Sequence, residues 1–361
     1  MDYVLLALGL VLLICGADGL VRGAARLAAS IGIPTVVIGL TVVAFGTSAP
    51  ELAVSINSAI ADKTELAMAN VVGSNIFNVL FILGLAAVIT PLAISRQLIR
   101  QDVPIMVLIS ALVFFLASDG MLSFMECALL VVLLVIYTVF LFVQGKKSEN
   151  AKADAPDGDE LAELTQGNHP AWQSLLWLVV GLALLIIGAS LLVNSAVSIA
   201  RTFGVSEAVI GLTILAIGTS LPEVVTSIVA SFKGQRDIAV GNVVGSNTFN
   251  LLAVLGISGI VSFDGLAATA QLVQQDLPIM LGVAILTLPL VITGSTLSRS
   301  EGALFFGLYV FYTALLIGTA KGAAWVSPLQ SLFWYLVLPL TVLVVLASLI
   351  RDVARRRQAS Q

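Results

Sequence analysis

Charged residues are scarce in this chain of 361 residues, and their scarcity excludes most soluble protein classes. Asp, Glu, Lys and Arg make up 11% of the sequence, whereas a soluble domain carries about 25%. With 59% hydrophobic residues and a mean hydropathy of +1.07, the chain lacks the polar surface that a cytosolic enzyme or a disordered protein needs. A net charge of −4 gives no basic field for nucleic acid. The composition predicts an all-α polytopic membrane protein in contact with the lipid bilayer.

Cysteine and histidine are nearly absent as well. Cys15 and Cys127 lie in apolar runs, and the single histidine, His169, lies in a polar stretch. A disulfide framework or a zinc site needs several such residues close together. The sequence therefore predicts no resident cofactor. Because the apolar segments also hold no nucleophile–base pair, we do not expect an enzyme.

Long apolar runs make up most of the chain. A helix needs about 20 apolar residues to cross a bilayer, and eleven segments approach or exceed this length. The predicted segments are 3–21, 33–59, 66–90, 103–118, 122–143, 173–193, 205–231, 237–262, 277–293, 301–319 and 332–350. A polar, acidic stretch between the fifth and sixth segments, 144–171, predicts a hydrated linker.

Lysine and arginine are unevenly distributed between the loops. If successive loops alternate sides, three of the 17 basic residues face one side and fourteen face the other. Cytoplasmic loops carry the excess of Lys and Arg. We therefore expect the N-terminus outside, and the linker and the C-terminal tail in the cytoplasm, in a plasma or bacterial inner membrane.

The chain contains an internal repeat. Residues 39–84 align without gaps to residues 211–256, and 23 of the 46 positions are identical. Each copy spans five segments, so an odd number of crossings turns the second copy upside down. Inverted repeats are typical of secondary transporters, whose site lies between the copies. The predicted organisation is a first copy at 1–143, the linker at 144–171, a second copy at 172–320, and an extra helix with a basic cytoplasmic tail at 321–361.

Matched polar side chains fall on two helices of each copy, and steps of three or four residues put each set on one helical face. On the first helix the sets are Thr47, Ser48, Glu51 and Ser55, and Thr219, Ser220, Glu223 and Ser227. On the second helix they are Asn70, Ser74 and Asn78, and Asn242, Ser246 and Asn250. Asn75 and Asn247 lie off this face and are expected to bridge helices.

A proline stands one residue before each matched glutamate. Pro50 and Pro222 lack the N–H that would bond the carbonyl four residues back, that of Gly46 or Gly218. Freed carbonyls at membrane depth are tolerated only where they face protein or water. The sequence therefore predicts a broken helix beside each glutamate.

All of these candidate ligands are oxygen atoms, which suit hard cations such as Ca²⁺ and Na⁺. Two ionised glutamates offset one Ca²⁺. An intramembrane carboxylate costs at least about 2.5 kcal/mol by insertion scales, so two at matched positions indicate function. By contrast, Asp102 and Asp276, each two residues before a proline, are expected to cap helices, and Asp18 to make a local hydrogen bond.

The motifs GTSAPE (46–51) and GTSLPE (218–223), each followed by GSNIFN (73–78) or GSNTFN (245–250), resemble the two α-repeats of the calcium/cation antiporter superfamily, and most closely its prokaryotic sodium/calcium exchangers. The resemblance implies Na⁺/Ca²⁺ exchange by alternating access, with a site built from segments 2, 3, 7 and 8 and with segments 1 and 6 sliding against it. It also implies two glutamates shared by both ions. The implied ligand set is Glu51, Glu223, Thr47, Thr219, the carbonyls of Ala44 and Ala216, Ser48, Ser220, Ser74, Ser246, Asn78 and Asn250.

At two positions the sequence differs from other members of the superfamily, and both differences bear on which ions are exchanged. Potassium-dependent relatives carry Asp at the position of Asn250, which argues against a K⁺ requirement. Proton-coupled relatives have an acidic residue in the second motif, whereas Val-Val follows Asn242 here. An H⁺/Ca²⁺ antiporter is the alternative function; a cation channel and an ion receptor without transport are the alternatives from other classes. The oligomeric state is not predicted.

Overall fold

The computed structural model describes residues 1–31, 33–149, 171–203, 216–292, 295–320, 322–337, 339–341 and 343. Most of the predicted linker, the first part of the seventh predicted segment, much of the eleventh and the basic tail lie outside the described residues. The helices are α1 (Asp2–Ile31), α2 (Thr35–Thr47), α3 (Ala49–Ile60), α4 (Thr64–Ile89), α5 (Leu98–Asp119), α6 (Phe124–Glu149), α7 (Ala171–Thr202), α8 (Leu221–Phe232), α9 (Arg236–Val261), α10 (Leu272–Leu290), α11 (Arg299–Ala320) and α12 (Val326–Leu332).

The long helices agree with the predicted segments wherever the chain is described. Eight of them, α1, α4, α5, α6, α7, α9, α10 and α11, are long and apolar enough to cross a membrane. Helices α2 and α3 form one further span that is bent by 45°. These nine correspond to predicted segments 1–6 and 8–10. Several ends differ: α1 continues ten residues beyond the first predicted segment, to Ile31, and α7 continues nine residues beyond the sixth, to Thr202. Helix α6 continues through the first six residues of the predicted linker.

In the described part of the chain, four two-residue strands accompany the helices: β1 (Leu92–Ala93), β2 (Met121–Leu122), β3 (Leu266–Ala267) and β4 (Thr296–Leu297). They form two antiparallel pairs, β1 with β4 and β2 with β3. Each pair joins a loop of the first repeat copy to a loop of the second. The expectation of an all-α chain therefore holds for every long element, and the strands fasten the two copies together at their loops.

Matched capping boxes begin α6 and α11. Ser123 and Ser298 each donate a backbone N–H to the glutamate three residues later, Glu126 or Glu301, at 2.8 Å. In return each serine hydroxyl accepts the backbone N–H of that glutamate at 3.4 Å. This reciprocal arrangement satisfies donors that the first turn of a helix leaves unpaired, and it sets where both helices start.

Helices α1 and α7 pack backbone to backbone in antiparallel directions. Glycines at seven-residue intervals allow this contact: a Cβ added at Gly16 would lie 2.7 Å from the carbonyl oxygen of Gly181, and one at Gly9 would lie 2.8 Å from that of Gly188. Small residues let helix backbones approach closely in membranes. The contacts pair Gly9 with Gly188 and Gly16 with Gly181, so the two helices run antiparallel along their glycines.

The two apolar cores separate this pair from the rest. Side chains of α4, α5, α9 and α10 build the larger cluster, and α1 and α7 build a second with α2 and the start of α9. Helices α4 and α9 are the most deeply buried of the long helices. The polar residues of the repeat lie on these two helices and on the broken helices that pack against them.

The expected helix caps at Asp102 and Asp276 were wrong. Each residue ends a π-helical turn, Leu98–Asp102 or Leu272–Asp276, that runs directly into the following α-helix, and neither makes a side-chain cap. Asp276 instead accepts a hydrogen bond from the Tyr312 hydroxyl at 2.9 Å. The local interaction expected for Asp18 is confirmed: its carboxylate pairs with Arg22 at 2.8 Å and with Lys233.

Candidate cation site

The broken helices turn at two equivalent serines. Ser48 separates α2 from α3 with φ −81° and ψ 7°, and Ser220 precedes α8 with φ −89° and ψ 8°. These values fall in the sparsely populated bridge region, which occurs at turns and at active sites. Pro50 and Pro222 follow within the first turn of the next helix, where a missing N–H is tolerated. The predicted break is therefore confirmed at Ser48, and Ser220 has the same backbone geometry.

The serine at each break donates its hydroxyl to the glutamate of the other repeat copy. The Oγ of Ser48 donates to Oε1 of Glu223 at 2.9 Å, and the Oγ of Ser220 donates to Oε1 of Glu51 at 2.7 Å. All four side chains are fully buried. Each carboxylate is consequently held in place by the copy to which it does not belong.

Asn70 and Asn242 fasten the glutamate helices to α4 and α9. The Nδ2 of Asn70 donates to the Oγ of Ser55 at 3.0 Å and to the backbone oxygen of Glu51 at 3.3 Å. The equivalent Asn242 donates to Ser227 at 3.0 Å and to the backbone oxygen of Glu223 at 3.4 Å. The two serines thus accept hydrogen bonds that fix the helix beside each carboxylate.

The threonines of the two copies have different surroundings. The Oγ1 of Thr47 donates to Oδ1 of Asn242 at 3.0 Å and lies 3.4 Å from the Oγ of Ser246. The Oγ1 of Thr219 is buried and has no hydrogen-bond partner in the described part of the chain. The Oγ of Ser74, the equivalent of Ser246, lies 3.3 Å from the Oγ of Ser220.

The two backbone carbonyls of the implied ligand set both lie in helical turns that precede the breaks. The backbone oxygen of Ala44 accepts the backbone N–H of Ser48 at 3.0 Å and lies 3.4 Å from the Thr47 hydroxyl, so this carbonyl is already hydrogen-bonded. One lone pair is engaged by the amide, and a carbonyl oxygen has two. The backbone of Ala216 forms a single helical turn with Gly218 ahead of the second break.

Five buried oxygens around this centre lack a hydrogen-bond partner among the described residues. They are Oε2 of Glu51, Oε2 of Glu223, Oδ1 of Asn78, Oδ1 of Asn250 and Oγ1 of Thr219. Buried polar atoms are normally paired, and unpaired ones call for an explanation such as an ion. Within the described ranges, no cluster of three or more His, Cys, Asp or Glu side chains occurs, so no third carboxylate joins the pair. Oxygen donors with two carboxylates suit a hard cation.

These features have counterparts in known proteins. The sequence model of the family described as sodium/calcium exchanger protein matches residues 1–143 and 173–318. The chain belongs to the sodium/calcium exchanger family. It is a multi-pass membrane protein of a transporter family rather than of an enzyme class.

Relatives are similar over almost their whole length. CaxA of Alkalimonas amylolytica is 38% identical over 314 residues, which cover 86% of this chain and 97% of the relative. The inner membrane protein YrbG of Escherichia coli is 36% identical over 327 residues, covering 90% and 97%. The sodium/calcium exchanger MaX1 of Methanosarcina acetivorans is 33% identical over 355 residues, covering 88% and 97%.

A solved structure of the sodium-calcium exchanger NCX_Mj has the same fold. It superposes with a TM-score of 0.75 at 30% sequence identity, and the match covers 87% of this chain and 98% of that protein. The exchanger family inferred from the GTSxPE and GSNxFN motifs is therefore confirmed by sequence and by structure.

Proposed function

We propose that this chain exchanges Na⁺ for Ca²⁺ by alternating access, with Glu51 and Glu223 shared by both ions. The observation that carries the proposal is the buried centre where each glutamate accepts a hydrogen bond from a serine of the other copy with one oxygen, while its second oxygen has no partner among the described residues. The name of the relative MaX1 and that of NCX_Mj state sodium and calcium. The proposed ligands are Glu51, Glu223, Thr47, Thr219, Ser48, Ser220, Ser74, Ser246, Asn78, Asn250 and the carbonyls of Ala44 and Ala216.

Two features support the inverted topology on which alternating access depends. The equivalent helices α1 and α7 run antiparallel. Strand β1 lies between the third and fourth spans of the first copy, and it pairs with β4, which lies between the fourth and fifth spans of the second copy. Strand β2 lies between the fourth and fifth spans of the first copy, and it pairs with β3, which lies between the third and fourth spans of the second. Loops pair across copies in this pattern when one copy is upside down, since the 3–4 loop of one copy then meets the 4–5 loop of the other.

The charges beside the strands support the proposed orientation. Arg96 and Arg299 flank the β1–β4 pair, whereas Asp119 and Asp264 flank the β2–β3 pair. Basic residues mark the cytoplasmic side. We therefore place the β1–β4 pair in the cytoplasm, and with it the N-terminus outside and the C-terminus inside a plasma or bacterial inner membrane.

The mechanism that follows is competition for one pair of carboxylates. Ionised Glu51 and Glu223 together balance one Ca²⁺, and Na⁺ ions that need the same oxygens exclude it. A centre with two uncompensated buried charges is costly, so the empty site reorients slowly and leak is suppressed. Ser48 and Ser220 hold one oxygen of each carboxylate, which leaves the other aimed at the ion.

The test is Ca²⁺ uptake into proteoliposomes loaded with Na⁺ and diluted into Na⁺-free buffer, with choline-loaded vesicles as a blank. Uptake should need internal Na⁺ and should be lost in Glu51→Gln and in Glu223→Gln. Glu126→Gln is the matched control, because a capping box accepts glutamine in place of glutamate. Uptake driven by a pH gradient without Na⁺ would favour H⁺/Ca²⁺ antiport, and robust exchange by either site variant would refute the assignment.

A further inference from the structure

Two asparagines outside the implied ligand set form a crossed pair between α4 and α9. The Nδ2 of Asn75 donates to the backbone oxygen of Asn247 at 3.2 Å, and the Nδ2 of Asn247 donates to the backbone oxygen of Asn75 at 3.2 Å. Both side chains are almost fully buried. The helix-bridging role expected for them is confirmed, but these bonds use only the nitrogen end of each amide.

The oxygen end of each amide reaches a candidate ligand of the other copy. Oδ1 of Asn75 accepts from Nδ2 of Asn250 at 3.1 Å, and Oδ1 of Asn247 accepts from Nδ2 of Asn78 at 3.0 Å. Asn78 and Asn250 each begin a π-helical turn, and these turns pack against the helices that carry Glu223 and Glu51, respectively. π-helical turns are frequent at functional sites.

The orientation of all four side-chain amides follows from one backbone carbonyl in each repeat copy, that of Asn247 or Asn75. A backbone carbonyl can only accept, so the end of Asn75 that faces the Asn247 carbonyl must be its NH₂ group. Its other end is then an acceptor, which Asn250 can satisfy only with its own NH₂ group. The remaining atom of Asn250 is therefore Oδ1, and it is buried without a hydrogen-bond partner in the described ranges, as is Oδ1 of Asn78.

We infer that Asn75 and Asn247 are positioning residues that make Asn250 and Asn78 present a carbonyl oxygen, and not an NH₂ group, to the transported cation. The inference rests on the proposed function. An asparagine that is free to rotate would offer the cation either end, and its NH₂ end repels a cation. The crossed pair removes that choice, and each copy orients the ligand of the other.

A bridge that served packing alone would give the same contacts, so the test separates orientation from packing. Aspartate presents oxygen whichever way it is turned, so it has no wrong end. The first variant is Asn75→Leu, which has a similar volume and removes the acceptor for Asn250. The Asn75→Leu change is made both in the natural protein and in the Asn250→Asp variant. Na⁺-dependent Ca²⁺ uptake is then measured over a range of Ca²⁺ concentrations, which gives KM and kcat separately.

We expect Asn75→Leu to raise the KM for Ca²⁺ by about tenfold in the natural protein, the factor that corresponds to one lost charge-assisted contact. In the Asn250→Asp background the same change should alter KM by less than about threefold, because orientation no longer matters. The matched control is Asn75→Leu with Asn78→Asp. Asn78 is oriented by Asn247 and not by Asn75, so the KM defect should persist there.

Asn75→Asp provides a second comparison if the leucine variant does not fold. It keeps an acceptor for Asn250 and loses the donor to the Asn247 carbonyl, so Ca²⁺ affinity should be maintained while thermal stability falls. An equal KM defect in both Asn250 backgrounds, or rescue by Asn78→Asp, would overturn the inference. A natural protein without Na⁺-dependent uptake would instead refute the proposed function, so the two failures are distinguishable.

Discussion

A single methyl group at the α1–α7 contact should destabilise the protein, and the same group one turn away should not. A Cβ at Gly16 would meet the carbonyl oxygen of Gly181 and the backbone nitrogen of Leu185, both at 2.7 Å. A Cβ at Gly19 would meet nothing closer than the Trp177 ring at 3.5 Å, which is an ordinary contact. Gly19→Ala is therefore a matched control on the same helix.

The magnitude follows from the neighbours, which are backbone atoms and cannot rotate away. For an added methyl at Gly16, the helices must separate by roughly 0.7 Å to restore normal contact, and overpacking of this kind costs about 1–3 kcal/mol. Both alanines also gain about 1 kcal/mol of helix propensity. We expect Gly16→Ala to be less stable than Gly19→Ala by about 1–3 kcal/mol, the overpacking cost alone.

The assay is reversible unfolding of the purified protein in mixed micelles, with Ca²⁺ uptake measured in parallel. Comparing the two alanines cancels the shared gain in helix propensity, and the natural protein is the reference for each. If Gly16→Ala proved as stable as Gly19→Ala, the close backbone contact between α1 and α7 would not exist in the folded protein.

Two further predictions concern acidic residues away from the centre. Tyr312→Phe removes the hydroxyl that donates to Asp276 at 2.9 Å, and it should lower the free energy of unfolding by about 1–3 kcal/mol. Tyr137→Phe should cost less, because the Tyr137 hydroxyl has no hydrogen-bond partner in the described residues. Equal costs would contradict this difference between the copies. Asp18→Asn breaks the ion pairs of a carboxylate that is 37% exposed, so we expect the free energy of unfolding to change by less than about 1 kcal/mol, and by less still as salt is added. Stability is measured at several salt concentrations. A larger loss of stability would show that these ion pairs hold α1 in place.

The sequence predicted the local geometry of the candidate site well. Pro50 placed a break beside Glu51, and the chain turns at Ser48 with a 45° bend. The stripe that includes Asn70 was read from helical spacing, and Asn70 does lie against the glutamate helix. These features are local, since they depend on residues within one or two turns of each other, and proline and helical periodicity report them directly.

The contacts between the copies could not be predicted in the same way. Aligning the copies pairs equivalent residues 172 apart, but the bonds join Ser48 to Glu223 and Asn75 to Asn250, which are 175 apart. For the asparagines this shift of three residues depends on how α4 and α9 cross, and for Ser48 and Glu223 it depends on how the two broken helices meet. One sequence does not encode either geometry visibly. The predicted cap at Asp102 was wrong for a related reason, because a π-helical turn carries the helix through that residue.

The crossed bonds also bear on which parts of the molecule can move. Ser48 and Ser220 join the broken helices across the copies, and Asn75 and Asn247 join α4 to α9, all through buried hydrogen bonds. Separating the copies would break these buried hydrogen bonds together, which is costly. The α1–α7 pair, by contrast, packs against α2 and the start of α9 through an apolar cluster, and apolar contacts have no fixed direction. We therefore expect the four central elements to stay together as one body, and access to alternate by sliding of α1 and α7 past it.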